Sequence, residues 1–174
     1  YASLHVQHAG SDARLWSGNP FEMVSRLQSA ANEAEAVSRV RDLGFALDEM
    51  LADRQLAEAI DAGRILAAGH SYGANTALLA AGAAFERPQG TLSYGDSRLV
   101  GAVIISAPPF HGEPDPEAVV RPIGIPTLHI TAKGDEIRIP GYVSGYEDRL
   151  RVFAATGSAR KALVVFRDGS HSMF

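Results

Sequence analysis

Hydrophobic and polar positions change period along this chain, and the changes divide it into strand-like and helix-like segments. Short apolar runs at residues 64–68 ("RILAA"), 100–105, 127–131 and 162–166 read as buried strands. A parallel strand covered on both faces shows continuous rather than alternating hydrophobicity. A further run at residues 2–6 reads as a strand that leads into the turn-rich "HAGSD". Other segments have helical spacing. From residue 33 to about 60, apolar positions recur at Val37, Val40, Gly44, Leu47 and Leu51, steps that make one face of a long helix. Residues 72–84 form a helix whose small side chains let it lie close on a sheet, and 142–155 form another. A shorter helix is expected after Asn19-Pro20. Strands alternating with helices are the sequence form of βαβ units. The expectation is one α/β domain over residues 1–174, with a mostly parallel central sheet flanked by helices and no linker or internal repeat.

Composition agrees with a single globular domain and removes several classes of partner. Of 174 residues, 46% are hydrophobic, enough to bury a core. The net charge is −4, with 16 basic and 20 acidic side chains dispersed along the chain, so no basic face is offered to nucleic acid. No apolar run reaches the ~18 residues of a membrane span, and a soluble protein is expected. With no cysteine there is neither a disulfide framework nor a thiolate site. This leaves the compartment open, with the cytoplasm slightly favoured. The chain starts at Tyr1 within an apolar run, which suggests that the N-terminus of a longer protein is missing.

Candidate chemistry begins at "GHSYG", Gly69 to Gly73, which falls where the strand at 64–68 meets the helix from 72. A serine hydroxyl becomes a nucleophile when a base takes its proton and when it stands clear of neighbouring backbone. A sharp strand-to-helix turn achieves the second condition, and it brings the positions two before and two after the serine so close that both favour glycine. Gly69 and Gly73 occupy them. The turn also sets Ser71 at a helix N-terminus, where the N–H of Tyr72 would face a developing oxyanion. The plainer alternative is that Ser71 is a helix N-cap, a role serine favours.

An acid and a base follow in the order this arrangement needs. Asp135, in "PTLHITAKGDEIRIP", lies just past the strand at 127–131; as an ordinary residue it would be a surface turn aspartate, and Glu136 is its nearest competitor. Asp168 shares a short loop with the candidate histidine, and Asp96 precedes the strand it would have to follow. His171, in "RDGSHSMF", follows the last strand and is the expected base. His5 and His129 fall within predicted strands, His8 begins a turn, His70 lies inside the elbow facing away from the hydroxyl, and His111 sits in a proline-rich loop. His5 and His8 would diverge across a strand end, so no metal site is expected.

Together these residues resemble the α/β-hydrolase fold enzymes, and most of all the esterase branch of dienelactone-hydrolase-like and platelet-activating-factor-acetylhydrolase-like proteins. The resemblance rests on "HVQHAGSD" as the oxyanion loop, "GHSYGANTALLAAG" as the elbow and its helix, "TLHITAKGDEIRIP" as the acid loop and "GSHSMF" as the histidine loop. It implies a serine hydrolase that cleaves carboxylic esters through an acyl-enzyme. Ser71 would be the nucleophile, His171 the base and Asp135 the acid, without a cofactor. The family places a second oxyanion donor after a His-Gly pair; here the pair is His8-Ala9, and the role carries to Gly10, with Ala9 as the alternative. The resemblance also implies sheet strands before this chain's start and a helix after its end. Thioesters, lactones, polyesters and peptides are alternative substrates, and a non-catalytic binding module is the alternative of another class.

Between the strands at 100–105 and 127–131, where this fold often inserts a helical cap, the chain has "SAPPFHGEPDPEAVVRPIGIP". Its six prolines favour an extended run over the surface. It is either a plain crossover loop or a cleft wall, with Pro108, Pro109, Phe110 and His111 facing Trp16 and Met173. Either way the site is expected to be uncovered.

Overall fold

The computed structural model describes residues 2–8, 32–139 and 142–174. In chain order the elements are α1 (Glu33–Ala52), α2 (Arg54–Ala57), β1 (Ile65–His70), α3 (Tyr72–Ala80), β2 (Ala84–Arg87), β3 (Gly90–Ser93), β4 (Leu99–Ile105), α4 (Pro116–Val120), β5 (Thr127–Gly134), β6 (Ile137–Ile139), β7 (Tyr142–Ser144), α5 (Tyr146–Ala155) and β8 (Lys161–Ser170), which runs into a 3₁₀ turn (His171–Met173). Four strands form the central sheet in the order β1-β4-β5-β8. Every neighbouring pair in it is parallel. Parallel strands need crossovers, and these carry helices: α3 packs on β1 and β4 and α5 on β5, while α1, which precedes β1, packs on α3.

Helix α1 starts where Asn32 accepts a hydrogen bond from Glu35 N at 2.9 Å, with Glu33 and Glu35 in the first turn to complement the dipole. Its core stripe is Ala36, Val40, Leu43 and Leu47, a face turned slightly from the one predicted. The helix stops short of residue 60 because Asp53 is extended and turns its carboxylate onto the N–H groups of Gln55 and Leu56, capping α2 instead. Helix α3 carries Ala74, Ala77, Leu78, Leu79 and Ala80, all at 2% exposure or less, so the small residues do let it press onto the sheet. It ends at Ala80 rather than near 84, and a β2–β3 hairpin follows that periodicity did not reveal. Likewise the segment at 142–155 opens as a strand paired with β6, and the helix begins at Tyr146.

Residues 2–8 contain no strand, contrary to expectation. A strand exists by pairing, and residues 2–5 instead line a cavity of about 1290 Å³ together with Ile65, Leu66 and Leu99. The proline-rich segment is also more embedded than predicted. Within it Asp115 caps α4, Pro116 takes the first helical position, and Val119, Val120 and Ile123 are buried. Of the described residues between β4 and β5, the five of α4 are the helical ones. Among the described residues no helix is long and apolar enough to cross a membrane.

Candidate active site

The strand-to-helix junction at Ser71 has the geometry that its glycines suggested, with one difference. Ser71 adopts φ 56° and ψ −123°, a left-handed conformation costly for any residue with a Cβ. Its N–H is held by the carbonyl of Ile105 at 2.9 Å, and its carbonyl accepts from Ala74 N at 2.9 Å, so sheet and helix together enforce the turn. A Cβ on Gly69 would lie 2.1 Å from the Gly73 carbonyl oxygen, whereas one on Gly73 would meet nothing within 4 Å. The close approach therefore demands glycine at position 69 and leaves room at 73. Ser71 occupies the N-cap position of α3, but its side chain makes no capping bond.

The hydroxyl is engaged elsewhere. Ser71 Oγ lies 2.8 Å from His171 Nε2, and His171 Nδ1 lies 2.9 Å from Asp135 Oδ1. Three residues from separate loops at the carboxyl ends of β1, β5 and β8 thus form one hydrogen-bonded line. The competing acids stand apart: Glu136 is exposed and bonds Arg138, Asp96 pairs with Arg98 at 2.5 Å, and Asp168 is exposed.

Around Asp135, which is 1% exposed, sequence reasoning missed every supporting group. Ser106 Oγ donates to Oδ2 at 2.5 Å and Thr131 Oγ1 donates to the same oxygen at 2.7 Å. Arg149, itself 3% exposed, brings Nη2 to 3.5 Å from Oδ1. Burial alone would push the Asp135 carboxyl up, but the hydrogen bonds from His171, Ser106 and Thr131, with the Arg149 charge, outweigh it and hold the group well below the usual carboxylate range. It is a carboxylate at neutral pH. Ser106 directly follows β4 and Thr131 lies within β5, and nothing in their local pattern marks them; Arg149 is an ordinary arginine in a helix until α5 docks.

His70 was expected to face away from the hydroxyl. Its Nε2 donates to the backbone carbonyl of His171 at 2.9 Å, and the two rings lie 4.7 Å apart. Burial and the neighbouring His171 push its pKa below the ordinary histidine value, so it is neutral at pH 7. Tyr72 has its ring under the Arg39 guanidinium at 4.7 Å, and burial raises its hydroxyl to about 12.

The expected cleft wall is only partly there. Phe110 is 6% exposed and stands edge-on to Phe85 in the core, so it is a packing residue, a correction that follows from its apolar ring having a core to enter. His111 is exposed against Tyr142, and Met173 is 44% exposed. Ala9, Gly10 and Trp16 lie outside the described residues. His8 turns its Nδ1 to Asp42 Oδ2 at 2.9 Å.

No protein-family model and no curated protein sequence matches the chain. Solved structures do. A cold-adapted esterase from an Arctic intertidal metagenomic library superposes with a TM-score of 0.56 at 18% identity, over 87% of this chain and 56% of that one. The acylaminoacyl peptidase of Pyrococcus horikoshii gives 0.58 at 13% identity, over 94% and 27%. An esterase of Pyrococcus furiosus gives 0.53 at 14% identity, over 82% and 55%. The chain therefore spans about half the length of these esterases. At such identities the likeness is one of architecture, and by it this chain, with its mostly parallel central sheet flanked by helices, has the α/β-hydrolase fold.

Proposed function

We propose that the chain carries the active site of a serine hydrolase that cleaves carboxylic esters, with Ser71 as nucleophile, His171 as general base and Asp135 as the acid that orients it. The observation that carries this reading is the 2.8 Å approach of Ser71 Oγ to His171 Nε2 from a backbone held at φ 56°. Asp135 is an acceptor, so the imidazole proton sits on Nδ1 and the bare Nε2 faces the hydroxyl. Ser71 Oγ attacks the ester carbonyl while its proton passes to Nε2, and the tetrahedral oxyanion is met by the N–H of Tyr72 and by a second donor at Gly10 or Ala9. Collapse expels the alcohol, which takes the proton from His171. Water then repeats the attack on the acyl-enzyme and frees Ser71. Metal and organic cofactor have no step in this scheme.

The esterases among the structures of the same fold support ester hydrolysis, and the elbow and acid-loop motifs support the dienelactone-hydrolase-like branch within it. The test is labelling by a fluorophosphonate probe together with hydrolysis of p-nitrophenyl acetate, in the wild type and in Ser71→Ala. Wild type is expected to label and turn over, and Ser71→Ala to do neither while keeping its circular dichroism. Turnover by Ser71→Ala comparable to wild type overturns the assignment, as does a folded wild type that neither labels nor hydrolyses.

A further inference from the structure

Ser106 has features that packing alone does not require. It stands at the end of β4 with φ 55°, the second non-glycine residue of the described chain in the left-handed region, Ser71 being the other. Its N–H is tied to the carbonyl of Ile130 at 2.8 Å, so the sheet holds the backbone there, and the residue is 1% exposed. The strained conformation aims Oγ between the two partners of the hydrogen-bonded line: 2.5 Å from Asp135 Oδ2 and 2.7 Å from His171 Nδ1.

The donor inventory permits one arrangement of these contacts. A serine hydroxyl has one proton, and a carboxylate can only accept. The Ser106 proton therefore goes to Asp135 Oδ2, and a lone pair of the same oxygen faces His171 Nδ1. That nitrogen must then carry a hydrogen, shared between Asp135 Oδ1 and Ser106 Oγ. With the other tautomer, Nδ1 would present a lone pair to two acceptors at once. Thr131 also donates to Oδ2, but no contact joins it to the imidazole, so the two hydroxyls are not equivalent.

We propose that Ser106 is a positioning residue, whose hydroxyl bridges Asp135 and His171 and locks the imidazole in the tautomer that leaves Nε2 free for Ser71; this rests on the hydrolase reading of those three residues. Its lone pair also faces the positive charge that forms on the ring when Ser71 gives up its proton. The benefit is thus largest in the transition state, and its loss falls on kcat rather than KM.

Two substitutions separate the hydroxyl from the backbone. Ser106→Gly removes Oγ and accepts φ 55° without strain, whereas Ser106→Ala removes Oγ and keeps the strain. Both are expected to lower kcat for p-nitrophenyl acetate roughly tenfold to a hundredfold, the range for a hydrogen bond to a charged group, with KM within about twofold and with slower fluorophosphonate labelling. In proton NMR, the downfield resonance of His171 Nδ1–H is expected in the wild type and is expected to broaden into solvent exchange in both variants. This signal needs no substrate. A Ser106→Gly variant with wild-type kcat and an unchanged resonance overturns the proposal and leaves Ser106 a structural residue. A resonance lost from Ser106→Gly while the wild type neither labels nor turns over upholds the bridge and overturns the hydrolase reading instead. Should Ser106→Ala fail to fold, Ser106→Gly alone decides.

Discussion

His70 Nε2 donates to the backbone carbonyl of His171 at 2.9 Å, which ties the strand just before Ser71 to the turn that presents the imidazole. The two residues are 101 positions apart in sequence, so this bond joins two distant segments beside the Ser71–His171 contact. His70→Ala is expected to reduce kcat roughly tenfold, the worth of one such bond, with KM little changed. His70→Gln, whose amide N–H can reach the same carbonyl, recovers part of it. Steady-state kinetics equal to wild type in both variants would remove the tie from the mechanism.

Asp135 and Glu136 are adjacent, yet one is buried against His171 and the other exposed beside Arg138. Asp135→Asn cannot hold the Nδ1–H tautomer and is expected to lose roughly 10³-fold to 10⁴-fold in kcat. Glu136→Ala breaks a surface pair and is expected to stay within about twofold of wild type. The reverse ranking in an ester hydrolysis assay would move the acid by one residue.

The glycines of the elbow differ in the space around them. Gly69→Ala drives a methyl to 2.1 Å from the Gly73 carbonyl, and the backbone must move. A loss of about 3 kcal/mol or more is expected, at the upper end of overpacking costs, with activity lost alongside. Gly73→Ala adds a methyl to open space within α3 and is expected to raise stability by up to about 1 kcal/mol through helix propensity. Thermal unfolding of the two variants compares them directly, and equal destabilisation would contradict the asymmetry.

His129 ties stability to pH. It is 4% exposed in β5, edge-on to Phe153 at 5.3 Å, and burial, with the nearby Lys161 charge, lowers its pKa from 6.5 to about 4. The unfolded chain binds a proton at this side chain below pH 6.5, while the folded chain resists until about pH 4. Protons in that window favour unfolding, so the contribution is fully present above 6.5 and is lost as pH falls to about 4. The loss is on the order of 3 kcal/mol. Urea unfolding at pH 7 and pH 4.5 is expected to show a smaller difference in His129→Leu than in wild type. An equal difference would assign the pH dependence to other groups.

The region between β4 and β5 contributes one five-residue helix among the described residues, with Val119, Val120 and Ile123 committed to the core. Such a segment has no spare helices to close over Ser71. A preference for short acyl chains, and no jump in rate as substrate passes its solubility limit, are expected from a series of p-nitrophenyl esters. Interfacial activation on long-chain triglycerides would contradict this.

Periodicity and local chemistry were sufficient for the alternation of strands and helices and for the turn at Ser71, because each depends on residues within a few positions of one another; Asp135 and His171 were singled out by their order after Ser71, and that the three meet is decided by the tertiary structure. A glycine two residues before a serine is a local requirement, and so is an apolar run bounded by turns. What lay outside local reach depended on partners. Residues 2–6 have strand composition but form no strand, since pairing needs a second backbone. Residues 84–93 form a hairpin that no alternating pattern announces. The proline-rich interval leaves Phe110 open to either a crossover loop or a cleft wall, and the Phe85 ring beside which it is buried lies on another element. The hydroxyls and the guanidinium around Asp135 come from the end of β4, the interior of β5 and helix α5. Ser106 is 29 residues from Asp135 and 65 from His171, and its hydroxyl joins them because the parallel register sets β4 beside β5 and β5 beside β8. A hydrogen bond is decided by distances of a few tenths of an ångström, and those distances are set by strand pairing, which the chain fixes only when it folds.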